Sequence, residues 1–514
     1  MNRGRSILMM LLGVVLLWSA GGFNGRLVAQ RTRPDLVNID PLKEADPLVA
    51  VVTVALGGFR GIIADMLWMR SSRMQQEGRY FELAQLSSWI TTLEPRMPQV
   101  WSFQAWNMAY NISVLHKTAA ERWRWVVNGF ELLRDDGLRH NPSSAALYWE
   151  LGWIFQHKIG MDMDDKHNAY KRNWALEMDA LFEGPRPDYD AWSAAPAGEK
   201  ELVRAVPAAA AILQGMRDAS FDLFLKRGDR LAGLDKRLDE LKADDATADA
   251  IRAAVRRFLL EQHYRLDLAV MREAEERHGP LDWRDPQAHA LYWAFRGLKH
   301  AKGFDVERLD RMIYTAMQLS FKMGLFHHIE STGDVLFTPN LAIWDKARAA
   351  HLAAVEGHPK VEVMQKAYMY FLIDGVMIFD RHQQERQADL IFEELARRFP
   401  GETGGRAREA YVLHKLVGED FNALARDEAV AYLEGFLFEG MVMRVVGRRE
   451  AAEGAERQAR LIFNKYQQAK SKGPRSLRAH GHPPALRLFC STSPHPRPGN
   501  LRGEGPRGMT TEQP

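Results

Sequence analysis

Apolar residues recur at helical spacing through almost every window from Gly61 to Gln468, and strand-like alternation is scarce. Such spacing lays one apolar stripe along each predicted helix. Breakers interrupt the stripes at Glu94-Pro95, Asn141-Pro142, Asp285-Pro286, Thr338-Pro339 and Phe399-Pro400-Gly401. The residue before a proline is disfavoured in a helix, so these positions mark helix ends and starts. The pattern predicts an all-α chain of helix hairpins.

Two apolar runs near the N-terminus differ from the rest. Ile7 to Phe23 gives seventeen residues without a charge, behind a short basic start containing Arg3 and Arg5. That is the lower limit for a bilayer span, and it also fits a secretory h-region. A cut after Ala20 would put bulky Trp18 where small residues are preferred, whereas a cut after Gly21 puts Ser19 there. An uncleaved signal anchor and a cleaved peptide both stay open, and both place the bulk outside the cytoplasm. Arg3 and Arg5 favour an inside N-terminus, and Arg26, Arg31 and Arg33 oppose it weakly. The second run, Leu48 to Gly58, is only eleven residues before Arg60 and Asp65. It is too short to span and suits a buried or interfacial segment.

A repeat signal runs through the helical body. Gly78-x-Tyr80-x2-Leu83-x3-Ser87-x2-Ile90-x4-Pro95 has the spacing of the second helix of a tetratricopeptide (TPR) hairpin. Tyr148-x2-Leu151-Gly152-x2-Phe155 has the spacing of a first helix, and Trp101-x2-Gln104-Ala105-x2-Met108 is a weaker copy. Ala388-x3-Phe392-x2-Leu395-x4-Pro400 repeats the second-helix pattern. Small residues such as Gly152 and Ala105 let helices approach, large ones fill the groove beside them, and proline ends the hairpin. On these residues the chain resembles TPR-like α-solenoid proteins over roughly 61–160 and 365–400. Pro95 and Pro142 lie 47 residues apart rather than the family's 34, and Ser87 replaces its usual Phe. An irregular TPR-like helix-hairpin solenoid is therefore expected.

Composition changes that picture only at its ends. The 514 residues exceed one ordinary core. A single cysteine, Cys490, excludes a disulfide framework and any Cys-based metal site. The net charge of +3 is uneven, because Lys470 to Pro514 holds eight Lys/Arg against Glu504 and Glu512. That tail carries +6 and the rest of the chain −3, so no basic footprint for nucleic acid is concentrated in the body. The tail also holds eight of the 23 prolines and is expected to be disordered. The expected layout is an anchor or signal peptide over 1–24 and a linker over 25–47. A TPR-like domain over 48–183, a helical insertion over 184–284 and a second TPR-like domain over 285–468 follow, then a basic tail over 469–514. Asp235 to Arg257 predicts an exposed hairpin turning near Lys242–Thr247.

Familiar catalytic motifs are missing: no His-Glu-x-x-His, phosphate-binding loop, nucleophile elbow or haem-attachment motif occurs. Gly57-Gly58-Phe59-Arg60-Gly61 lacks the strand–turn–helix context of a dinucleotide site. Asp162, Asp164, Asp165 and His167 form the best metal-like cluster, yet an acidic helix start explains them without an ion. His327-His328 beside Glu330, read on a helix, points its imidazoles to different sides. No metal or small-molecule cofactor is expected.

Fourteen tryptophans carry the sharper expectation. In TPR proteins the first helices line a concave, peptide-binding groove. By that resemblance the face selects Trp68, then Trp106 and Tyr110, then Trp149, Trp153 and His157, the later sets at i, i+4 spacing. Trp and Tyr combine large contact area with one polar end, which suits recognition. The same rings could instead be core beneath further helices. Arg60, beside the second apolar run, is a candidate for lipid phosphates or a partner carboxylate. The expectation is a helical-repeat scaffold or adaptor that is not an enzyme. It would have one N-terminal span in a bacterial inner membrane, its bulk in the periplasm, and a protein or peptide partner in an envelope complex. Rivals are a Trp-rich helical toroid hydrolysing glycans with Glu150 and Asp164, and an accessory subunit of a transporter.

Overall fold

The computed structural model describes residues 60–221, 223–224, 231, 233–329, 332–417 and 426–469. The expected anchor, linker, second apolar run and disordered tail from Lys470 lie outside the described residues. Among the described residues the fold is all-α apart from one two-stranded hairpin. No described helix is long and apolar enough to cross a membrane. The chain divides into two compact units, Met1–Leu147 and Tyr148–Pro514.

The first unit contains helix α1 (Arg60–Gln76), α2 (Tyr80–Leu93), α3 (Pro98–Trp106) and α4 (Ala119–Glu131). Gly78 turns α1 into α2 with φ +71°, a conformation that suits a residue without Cβ. Leu83, Leu86, Ser87 and Ile90 form the buried face of α2, so the Ser87 that departs from the repeat still faces inward. Helix α2 ends before Pro95, whose carbonyl accepts the Trp101 indole N–H at 2.8 Å and the Asn141 amide at 2.9 Å. Pro98 then opens α3, where its missing N–H costs nothing. A Cβ on Gly129 of α4 would lie 2.8 Å from the Ala105 carbonyl oxygen of α3, so small side chains set this crossing.

The second unit begins within α5 (Ala145–Trp153) and continues through α6 (His167–Phe182). Short helices Tyr189–Ala194, Glu199–Ala205, Ala209–Asp218 and Leu234–Glu240 lead to α7 (Asp245–Phe258). The expected turn before α7 is closed by Asp244, whose carboxylate accepts from Thr247 N at 3.0 Å. Next come α8 (Leu268–His278), α9 (Pro286–Leu298) and α10 (Phe304–Met323). The remainder is α11 (Trp344–Gly357), α12 (Glu362–Arg381), α13 (Glu385–Arg398), α14 (Arg408–Val417), α15 (Arg426–Val445) and α16 (Arg449–Ala469). Ala388, Phe392 and Leu395, the matched positions of the downstream repeat, are buried on α13.

Helix α9 is the axis of the second unit. Every residue from Pro286 to Phe295 is buried, as expected for a helix apolar all round. Trp174, Trp283 and Phe155 pack around its His289, with ring centroids 4.7, 5.8 and 5.4 Å away. A Cβ on Gly152 would lie 2.5 Å from the Met312 sulfur and 3.1 Å from the Ala290 carbonyl oxygen. The glycine picked out by the repeat pattern therefore lets α5 sit close to α9 and α10.

His327 and His328 are on a strand, not a helix. Strand β1 (Leu325–Ile329) pairs antiparallel with β2 (Asp334–Thr338), placing His327 opposite Leu336 and His328 opposite Val335. Phe326 and Ile329 favour an extended strand, and Gly333 at φ +70° closes the turn, so this stretch forms a hairpin and not one more helical turn. The imidazoles still face opposite ways, by strand alternation. The hairpin is held by Asp282, whose fully buried carboxylate accepts from Phe326 N at 3.0 Å and pairs with Arg284 at 2.8 Å.

Asp285 gives the core a pH dependence. Its carboxyl caps α9 through Gln287 N at 3.0 Å and accepts from the Ser320 hydroxyl at 2.6 Å. Burial, aided by nearby Asp282, raises its pKa to about 7 against the opposing pull of those hydrogen bonds and Lys171. The folded chain thus keeps a proton that the unfolded chain loses near the ordinary value of 3.8. Over that window the unfolded state binds fewer protons, so this group lowers stability as pH rises and levels off above pH 7. Asp285→Asn, which keeps the cap, is expected to become more stable relative to the parent between pH 4 and 7.5, by up to about 4 kcal/mol. Urea unfolding across that range measures it, and a pH-independent difference would disprove it.

Candidate functional site

The six aromatic candidates sit in two settings, one in each unit. In the first, Trp68 of α1 packs against Ala64, Ile90 and Val100, its ring 5.1 Å from Phe103, so it is tied to a core cluster. Trp106 and Tyr110 stack at 5.7 Å with 22° between planes, and Trp106 is 37% exposed. Their helix passes into a π-helical stretch at Asn107–Ile112. Phe81, His116 and Trp125 form another partly open aromatic cluster, with Phe81 5.9 Å from Trp125. Sequence reasoning missed it, because its rings come from three separate segments.

In the second unit Trp149, Trp153 and His157 form a continuous stack along α5 and the π-helical stretch Ile154–Ile159 that extends it. Trp149 and Trp153 lie 5.2 Å apart at 12°, and Trp153 and His157 lie 4.4 Å apart at 16°. All three are half-buried. Arg308 of α10 caps the Trp149 end, its guanidinium carbon 3.8 Å from the ring centroid. Arg308 is the residue the sequence could not supply, since it enters from a helix remote in the chain.

The electrostatics follow from partial burial. Glu150, next in sequence to Trp149, is pushed up to about 7 by burial, with Arg308 pulling the other way. The His157 imidazole is pushed down, by burial first and then by Lys158, which favours its neutral form. The stack therefore carries a cation over Trp149 at one end and, at the other, an imidazole whose neutral form is favoured.

Stacking also decides which surface of the rings is offered. Trp153 stacks with both Trp149 and His157, and Trp149 also carries the Arg308 guanidinium over its ring. These contacts occupy part of the ring faces. They leave the electropositive ring edge and the indole N–H. Neither Trp149 nor Trp153 donates its N–H to a partner among the described residues.

The acidic cluster is settled by lysines. Asp164 accepts from buried Lys158 at 2.6 Å, from Lys166 N at 2.8 Å and from the Tyr170 hydroxyl at 3.1 Å. Asp162 pairs with Lys171 and with His167 at 2.9 Å. These carboxylates brace the loop entering α6, and Asp164 is not free to join Glu150 as a hydrolytic pair. Among the described residues no three His, Cys, Asp or Glu side chains are arranged to hold a metal. Arg60 opens α1, and its side chain lies outside what is described. No family model, curated protein or solved structure matches the chain.

Proposed function

We propose that the protein is an extracytoplasmic helical scaffold, tethered to a bacterial inner membrane by its N-terminal apolar run. It would hold an extended peptide segment of a partner in an envelope complex. The Arg308-capped stack of Trp149, Trp153 and His157 carries this reading. Its edges offer hydrogen-bond donors to peptide carbonyls, and its half-buried rings supply contact area. The stacked Trp106 and Tyr110 supply similar aromatic contact area in the first unit. The helical hairpins and the small-residue crossings at Ala105 and Gly152 support an irregular TPR-like solenoid as the frame. A transporter accessory subunit would share this physics and differ in its partner. Hydrolysis of glycans gains no support from Asp164, whose carboxylate is bonded to Lys158, Lys166 N and Tyr170.

Panning a displayed peptide library on the full chain in detergent, then measuring affinities of the enriched peptides, tests the proposal. Trp153→Ala is expected to weaken binding about 30-fold, equivalent to about 2 kcal/mol, with little change in melting temperature. Trp174→Ala, which removes a fully buried ring, should instead cost about 3–5 kcal/mol of stability. Failure to enrich any peptide, together with turnover of a polysaccharide panel, would overturn the scaffold assignment.

A further inference from the structure

Helix α1 is apolar on two opposite sides. Ala64, Ser71 and Met74 are buried, and Leu67 and Trp68 pack beside them. On the far side Ile62, Met66 and Met69 are 53%, 61% and 65% exposed. At about 100° per residue these three fall within one narrow arc. Asp65 flanks that arc on one edge and Arg70 on the other, with Arg73 one turn further along. A surface helix ordinarily turns polar residues outward, so three large apolar side chains in a row call for a cover.

The chain before α1 points to what covers it. Helix α1 is described from Arg60 onward, and in the sequence the apolar run Leu48–Gly58 lies just before it, with a second, longer run, Ile7–Phe23, further upstream. Helix α1 itself carries Arg60, Arg70 and Arg73 against Asp65, a positive balance suited to anionic headgroups. Long cationic side chains beside an apolar stripe are also the arrangement that lets a helix lie at a lipid interface.

We propose that α1 is a second membrane contact, lying along the bilayer surface with Ile62, Met66 and Met69 at the boundary between headgroups and acyl chains of anionic phospholipid. The contact rests on the inner-membrane location proposed above, and it goes beyond a tether by fixing which side of the first unit faces lipid. The Trp106–Tyr110 stack would then have a defined orientation relative to the membrane.

Site-directed spin labelling tests it. In a Cys490→Ser background, single cysteines at Ile62, Met66 and Met69, with Glu121→Cys as the water-facing control, are labelled on the full chain. The protein is reconstituted in vesicles of phosphatidylcholine containing phosphatidylglycerol. The expected result is a gain of collisions with oxygen and a loss of collisions with a water-soluble nickel chelate at all three sites, relative to the control. Low collision with both agents would mean that protein covers the stripe, either Leu48–Gly58 or a second copy, and would overturn the proposal. High collision with nickel would overturn it too. Alkaline extraction of native membranes separates the two claims: release of the chain refutes the tether, whereas a retained chain with water-exposed labels refutes only the lipid-facing helix.

Discussion

Gly454→Ala is expected to lift α16 from its neighbour and lower stability by about 3 kcal/mol. A Cβ at this position would fall deep inside the van der Waals envelope of the Arg381 carbonyl oxygen, at the end of α12. The obstacle is backbone, which cannot rotate aside as a side chain can. Among the bonds that join helix α16 to this region, Arg381 Nε donates to Gln458 at 3.2 Å and the Gln383 amide donates to the Glu450 carbonyl at 3.0 Å. Both bonds need the close approach that the methyl forbids. Hydrogen exchange should therefore accelerate across Arg449–Ala469, and the urea midpoint should fall. Gly401→Ala serves as the control, because nothing lies within 4 Å of its added Cβ. Equal behaviour of the two variants would show that the α12–α16 contact absorbs the change.

The second large effect is expected from Asp282→Ala, at about 3–5 kcal/mol. The carboxylate is fully buried and accepts from Arg284 Nε at 2.8 Å, Arg284 Nη2 at 2.9 Å, Arg284 N at 3.1 Å and Phe326 N at 3.0 Å. Removing it strands Phe326 N and leaves Arg284 with Asp179 at 2.8 Å as its remaining ion-pair partner. Breaking one side of a buried pair costs more than the pair contributes, because the remaining charge is left dry. The loss should appear first in the β1–β2 hairpin, whose first strand hangs from this carboxylate. Asp282→Asn, which retains an acceptor, should lose less. Comparable loss from both variants would place the stabilisation in the negative charge, which Asn also lacks, and not in the retained acceptor or side-chain volume.

Much of the helical frame was legible because its signals are local. Pro95, Pro142 and Pro286 stand next to the helix ends and starts they mark. Gly152 and Ala105 were readable as close-approach positions because the repeat pattern supplies their spacing. The β-hairpin was missed because Leu325–Ile329 is too short to establish a period, and its holding groups, Asp282 and Arg284, lie some forty residues upstream. The site was legible in half. Spacing put Trp149, Trp153 and His157 on one face, but not the Arg308 cap, and not the π-helical stretches in which both aromatic stacks end. Those depend on contacts between distant segments, which a single sequence does not record. The Asp162–His167 cluster was ambiguous for the same reason: the lysines that neutralise it lie on either side of the loop, and only folding brings them to the carboxylates.

The stack along α5 also has a thermodynamic consequence. Each ring is braced by the next and the first by a guanidinium, so its rotamers are already restricted before any ligand arrives. A ligand meeting such an array does not have to immobilise it, and the entropy that flexible side chains lose on association is largely avoided. Tight capture of a short segment by a small contact area then becomes compatible with a surface that holds its shape when empty.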